Sequence, residues 1–195
     1  MMSTLLMGSD CEEKRLDGLD HGLMVSESGL ELKHIELPCV VIGQEFEHPE
    51  SFHNAIERIN YSFSHAVVVT GEIDKDYFSI LDIGPVENRY GVVLVSVGYV
   101  GNPTWHQGLD IDDPGGISNL VWDEETGEIL YADVILNVDY AYDEEWTTQA
   151  LIHELGHACF ALDHDEVSED LGSCMSSPQP YNCEILQSDV ERVLN

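Results

Sequence analysis

Residues 151–165 read LIHELGHACFALDHD, in which two histidines four positions apart bracket a glutamate. On a helix, positions four apart lie on one face, so His153 and His157 can present two imidazole nitrogens to one zinc ion at about 2.0–2.1 Å. Glu154 projects one step round the helix, where it can reach a metal-bound water without ligating the metal. Zinc lowers the pKa of such a water to roughly 7, and a carboxylate can then draw off its proton as it attacks a carbonyl. The chemistry expected is hydrolysis, with Glu154 as general base and then as proton shuttle to a leaving amine. A five-residue HExxH also arises by chance on buried helices, with its histidines in ordinary hydrogen bonds. Asp163 and His164, polar ligand candidates directly after the motif, weigh against that reading. Gly156 lacks a side chain that would crowd the approach of a neighbouring strand.

Several elements must position these groups. TTQALIHELGHACFAL (147–162) has the apolar density of a buried helix, with Thr147 or Asp143 as its candidate N-cap. IELPCVVIG (35–43) has the β-branched run of a buried strand, and HPESFHNAIERINYSF (48–63) places Phe52, Ala55, Ile56, Ile59 and Phe63 at helical spacing. AVVVTGEI (66–73) and YGVVLVSVGYV (90–100) predict further strands, the second apolar on both faces and therefore central in a sheet covered on both sides. GNPTWHQGLDIDDPGG (101–116) reads as a turn-rich loop, and ETGEILYADVILN (125–137) as a turn and then a strand. That strand would set Leu130, Ala132, Val134 and Leu136 on one face, and Tyr131, Asp133, Ile135 and Asn137 on the other. Beyond Asp163 the chain is irregular until a short helix in EILQSDVERVLN. Residues 1–35, rich in glycine, serine and charge with little periodicity, predict a loosely ordered lead-in to one domain over 36–195. The fold class is α/β in the α+β sense: a twisted mixed sheet, a backing helix, an active-site helix and an irregular C-terminal subdomain.

Composition narrows the partners. The 38 acidic against 7 basic residues give a formal net charge of −31, which repels phosphate backbones and anionic membrane faces and so excludes nucleic acid as a natural partner. No apolar run approaches the length of a membrane span. Five cysteines are an odd set. Cys174 and Cys183 frame SCMSSPQPYNC, where a small disulfide loop is expected, whereas Cys159 sits in an apolar helical pattern and reads as a buried thiol. This usage leans toward an oxidising, extracellular or cell-envelope compartment. MMSTLLMGSDCEEKRL lacks the basic start and the apolar length of a secretory signal, so any leader is absent or trimmed in this sequence. Asp110, Asp112 and Asp113 in LDIDDPGG suit a hard cation such as calcium, although in so acidic a chain a solvated loop is the commoner outcome.

HELGHACFALDHD followed by SCMSS resembles the metzincin clan of zinc endopeptidases, whose pattern is HExxHxxGxxH or HExxHxxGxxD followed by a Met-turn. The resemblance covers about residues 35–195 and is strong at 129–137, 153–165 and 174–176. It implies a zinc peptidase acting as a monomer on protein or peptide substrates, with Met175 beneath the metal and Pro178 to Tyr181 in the wall of a substrate pocket. It also implies that the strand at 129–137, with Tyr131 and Asp133, resembles the cleft-rim strand that binds extended substrate by edge addition. DIDDPGG lies where matrixin-like members carry a calcium loop. Two departures stand out. Phe160 replaces the glycine that in the clan ends the helix three residues after the second histidine. Strict counting makes Asp163 the third ligand, as in snapalysin-like members, while alignment on LDHD makes it His164 with one residue inserted. The longer imidazole and the LDHD match favour His164, with Asp163 in competition for the role. Two other classes stay open: a zinc-binding module without hydrolysis, and an acidic calcium-dependent interaction domain.

Overall fold

The computed structural model describes residues 23–43, 49–71, 90–98, 115–137, 143–164, 172–176 and 183–194, together with the backbone of 2–8. Six strands, β1 (Met2–Gly8), β2 (Cys39–Gly43), β3 (Val68–Thr70), β4 (Val92–Gly98), β5 (Gly116–Asp123) and β6 (Ile129–Asn137), form one sheet in the order β1-β5-β6-β4-β2-β3. β2, β3, β4 and β6 run parallel, while β5 is antiparallel to both β6 and β1. Three helices, α1 (Pro49–Phe63), α2 (Glu144–Phe160) and α3 (Gln187–Leu194), complete this mixed α/β architecture. None of the described helices is long and apolar enough to cross a membrane.

The amphipathic pattern of α1 is realised as expected, with Phe52, Ala55, Ile56, Ile59 and Phe63 all buried. Its far end is tied to the sheet by Asn60, whose Oδ1 accepts from the Val67 and Val68 amides at 2.9 Å each while its Nδ2 donates to the Val68 carbonyl at 2.8 Å. Arg58 joins α1 to two other parts of the chain, donating to Glu145 at 2.9 Å and to the Cys183 carbonyl at 2.6 Å. In α2, Asp143 is the N-cap, its carboxylate accepting from the Trp146 amide at 2.7 Å, and every residue from Thr147 to Phe160 is buried. A helix buried all round has to be held from several sides, and here the sheet, α1 and the C-terminal segment share that task.

Four expectations require correction. β5 has no counterpart among the expected elements: Gly116–Asp123 form a full strand between the loop and the turn that the sequence predicts. Its insertion places β6 between β5 and β4, paired on both sides, so β6 has no free edge for a substrate strand. The expected coverage of both sheet faces is also incomplete in β4, where Val93 and Val95 are buried but Val92 and Leu94 are only half-buried.

The third correction concerns the supposedly loose lead-in. Beyond β1, residues 23–35 pack into the core through Met24, Leu32 and Ile35, all within 1% of full burial. This strap binds the C-terminal end of α2, where the Met24 amide donates to the Ala161 carbonyl at 2.7 Å and the Ile35 amide to the Cys159 carbonyl at 3.0 Å. It then joins the turn before β6, with the Lys33 amide donating to Gly127. Isolated bridges of this kind have no sequence period, so composition alone made the segment look unstructured. The fourth correction is Cys159, which is not a free thiol but is disulfide-bonded to Cys39 on β2. Cys174 and Cys183 are paired as expected. Two disulfides fit an oxidising, extracellular setting.

Candidate metal centre

His153, Glu154 and His157 follow from the helix register, but the third histidine depends on how α2 ends. Phe160 does not turn. It stays helical, fully buried and stacked on Phe63 with ring centroids 4.7 Å apart. Ala161, one residue later, takes the left-handed conformation at φ 55°, with its amide donating to His157 at 3.1 Å and the next amide, Leu162, donating to Gly156 at 3.2 Å. This is a left-handed C-terminal cap closed by a five-to-one bond, with alanine in the place that glycine usually fills. Moving the turn by one residue moves the side chain that returns to the helix by one residue as well. His164 therefore joins the cluster, and Asp163 instead accepts the His164 amide at 2.7 Å, bracing the backbone behind it.

Because an L-residue in the left-handed region costs about 1–2 kcal/mol, Ala161→Gly should stabilise the protein. The net gain expected is about 0.5–1 kcal/mol once the greater freedom of glycine in the unfolded chain is subtracted. Chemical denaturation should show a higher midpoint with an unchanged slope, and an unchanged or lower midpoint would count against strain at this turn.

The three imidazoles converge through their Nε2 atoms, which stand 3.1 Å (His153 to His157), 3.2 Å (His157 to His164) and 3.1 Å (His153 to His164) apart. His153 Nδ1–H donates to the Cys174 carbonyl at 2.5 Å and His157 Nδ1–H to the Leu162 carbonyl at 2.6 Å. A carbonyl can only accept, so both rings have their proton on Nδ1 and turn bare Nε2 lone pairs toward each other. Two neutral rings in that tautomer cannot hydrogen-bond to one another. The arrangement fits a cation: nitrogens at 2.0–2.1 Å from one tetrahedral ion lie about 3.3 Å apart, close to the spacings here. The buried His153, His157 and His164 can thus bind one metal ion.

Electrostatics favour the same state. Burial depresses the His153 pKa to about 4, with the neighbouring His164 adding to the effect. Burial also pushes His157 well below the ordinary imidazole value, helped by both other rings, and lowers His164. All three are therefore neutral near pH 7, the form in which imidazole ligates a metal.

The floor of the site is the segment 172–176. The Cys174–Cys183 disulfide, the Cys174 amide donating to Glu184 and the Glu184 amide donating to Gly172 hold it in place. That bracing aims the Cys174 carbonyl at His153. Met175 is fully buried, and a Cβ added at Gly156 would collide with its sulfur. Gly156 thus makes room for Met175 rather than for a strand.

Glu154 lies under β5. Its Oε2 accepts from the Ser118 hydroxyl at 2.6 Å, and that hydroxyl is also 3.1 Å from the Glu154 carbonyl oxygen. A Cβ at Gly116 would come within 2.8 Å of Oε1. Gly116 and Ser118 are two apart and so share one face of β5, making a cradle with one hydroxyl and one vacancy for the carboxyl. Burial raises the Glu154 pKa to about 8, with the Ser118 hydrogen bond pulling the other way. Neither cradle residue was foreseen, because the strand carrying them was not; the small residues at 115–118 were the available signal.

On a hydrolytic reading of the site, Ser118→Ala should lower turnover by roughly tenfold, the upper scale of one ordinary hydrogen bond, while leaving bound metal and KM unchanged. Steady-state kinetics beside metal analysis would check this, and loss of metal would mean that Ser118 supports the fold instead.

The remaining site candidates fall elsewhere. Tyr131 and Asp133 lie on the face of β6 opposite to Ala132 and Val134, which pack into the core, so they do not join the cluster. Pro178, Tyr181, Asp110, Asp112 and Asp113 lie outside the described residues. Comparison with protein-family models, with curated proteins and with solved structures finds no match to this chain.

Proposed function

We propose that the protein is a zinc-dependent endopeptidase of metzincin type, secreted into an oxidising environment, and that it hydrolyses peptide bonds of protein substrates. The observation that carries this reading is the meeting of three imidazole Nε2 atoms at 3.1–3.2 Å, those of His153 and His157 bare, beside the buried carboxyl of Glu154. His153, His157 and His164 would hold the ion. Zinc in such a three-histidine set supplies Lewis acidity and acidifies water at its open position.

The chain's own residues account for the rest. Glu154 would accept a proton from the attacking water and return it to the leaving amine, a role for which the carboxyl must be ionised, as a neighbouring cation favours. Ser118 fixes one carboxyl oxygen, so proton transfer falls to the other. The Cys174 and Leu162 carbonyls fix the tautomer of two ligands, the usual outer partners of metal-bound imidazole. Met175 supports the ligand helix from below.

The resemblance in HELGHACFALDHD and SCMSS supports the same reading, with His164 supplied by the late turn. Zinc-loaded protein should cleave members of a diverse peptide library, and a chelator should abolish the cleavage. An uncut library from protein that retains zinc would leave a zinc-binding module without hydrolysis.

A further inference from the structure

Arg58 reaches out from α1 with both arms of its guanidinium. One donates to the Glu145 carboxylate at 2.9 Å and the other to the Cys183 carbonyl at 2.6 Å. The ion pair alone is a weak reason for the residue, since the two side chains are 28% and 39% exposed and solvent screens such pairs. Nor is the pair needed to seat α1 on α2, because Ser51 Oγ donates to the Glu144 carbonyl at 2.9 Å and Phe63 stacks on Phe160. The second arm leads to the metal centre. Cys183 is bonded to Cys174 through the disulfide, and their two segments are laced together by the Cys174 amide on Glu184 and the Glu184 amide on Gly172. At the end of this route the Cys174 carbonyl accepts from His153 Nδ1–H at 2.5 Å. α1 is itself a fixed point, since Asn60, two residues beyond Arg58, binds the backbone at Val67 and Val68. A charged donor on an anchored helix thus bears on the carbonyl that orients a metal ligand. His157 takes its orientation from the Leu162 carbonyl instead, by a route that bypasses Arg58.

We propose that Arg58 is a positioning residue of the metal centre: through Cys183 and Cys174 it sets the carbonyl that holds the His153 imidazole. The inference rests on the zinc reading for its effect on metal affinity, but not for its effect on the imidazole. Lysine is no substitute, because one ammonium on a flexible stem lacks the planar fork that holds two acceptors at once.

The test compares Arg58→Met and Arg58→Lys with wild type, all as full chains. His153 and His157 are both buried, so their Nδ1–H protons are shielded from exchange and should be visible by proton–nitrogen NMR. Arg58→Met should shift the His153 signal and leave that of His157 in place, in metal-free and in zinc-loaded protein. Zinc affinity, measured by competition with a chromophoric chelator, should fall about tenfold, the lower end of the range for losing an outer partner of a ligand. Arg58→Lys, which keeps a cation beside Glu145, should show the same selective shift and carries the test if the methionine variant does not fold. Two imidazole signals that stay put, or that move alike, in a folded variant overturn the proposal, as does unchanged zinc affinity. Failure of both variants to fold would make Arg58 part of the scaffold and would also overturn it. A selective His153 shift, in a protein whose wild type binds no zinc, keeps the positioning role and removes the zinc reading.

Discussion

Glu154→Gln should abolish hydrolysis and, in metal-free protein above neutral pH, make the fold more stable. The first effect follows from removing the proton carrier while keeping its shape: general acid–base groups contribute about 10²- to 10⁴-fold, and bound zinc should be unchanged because the residue is not a ligand. The second follows from burial. The folded pKa of Glu154, about 8, lies above its ordinary value of 4.5. Stability is therefore full below pH 4.5 and is lost as pH rises through 8, because the buried carboxyl must ionise. Glutamine does not titrate. The difference between variant and wild type should be near zero at pH 4.5, grow across 4.5 to 8 and level off beyond it at roughly 3–5 kcal/mol. The depressed histidine pKa values act equally in both proteins and cancel in the difference. Thermal unfolding in chelator from pH 4.5 to 9 would measure it. A constant difference, or a variant less stable at pH 9, would contradict the buried position of the carboxyl.

The second large effect is expected at Cys39–Cys159. The bridge joins β2 to the last turn of α2 across a sequence separation of 120 residues. Loop-closure entropy for so long a loop amounts to about 4–5 kcal/mol, a sizeable share of the 5–15 kcal/mol that ordinary domains possess. Cys39→Ala/Cys159→Ala should thus lower the unfolding midpoint by roughly 10–15 °C. Cys159 lies two residues beyond His157, and its carbonyl accepts the Ile35 amide, so the loosened helix end should also weaken zinc binding. Calorimetry with zinc titration on the double variant would check both, and a shift below about 3 °C would show that the strap and α1 suffice to hold this end of the helix.

Much of the centre was legible because helical register is local information. His153, Glu154 and His157 follow from spacing alone, and α1 from its apolar period. The sequence offers both Asp163 and His164; that His164 is the one to meet the other two rings follows from Phe160, whose packing on Phe63 keeps it helical and passes the turn to Ala161. No local pattern encodes that contact across almost a hundred residues. β5 escaped notice for a related reason: Ser118 and Asn119 interrupt its apolar run, and one of them is there to bind Glu154 rather than to fill the core. Cys159 looked like an ordinary helical hydrophobe because its partner is distant in sequence. The strap at 23–35 anchors itself through three irregularly spaced residues, which periodicity cannot detect.

The measurement that bears most directly on the central claim is bound zinc per chain, by mass spectrometry of wild type, His164→Ala and Asp163→Ala. With His153, His157 and His164 as ligands, about one zinc should be retained by wild type and by Asp163→Ala and lost from His164→Ala. Wild type that binds no zinc, or zinc that survives His164→Ala and is lost from Asp163→Ala, would contradict the account.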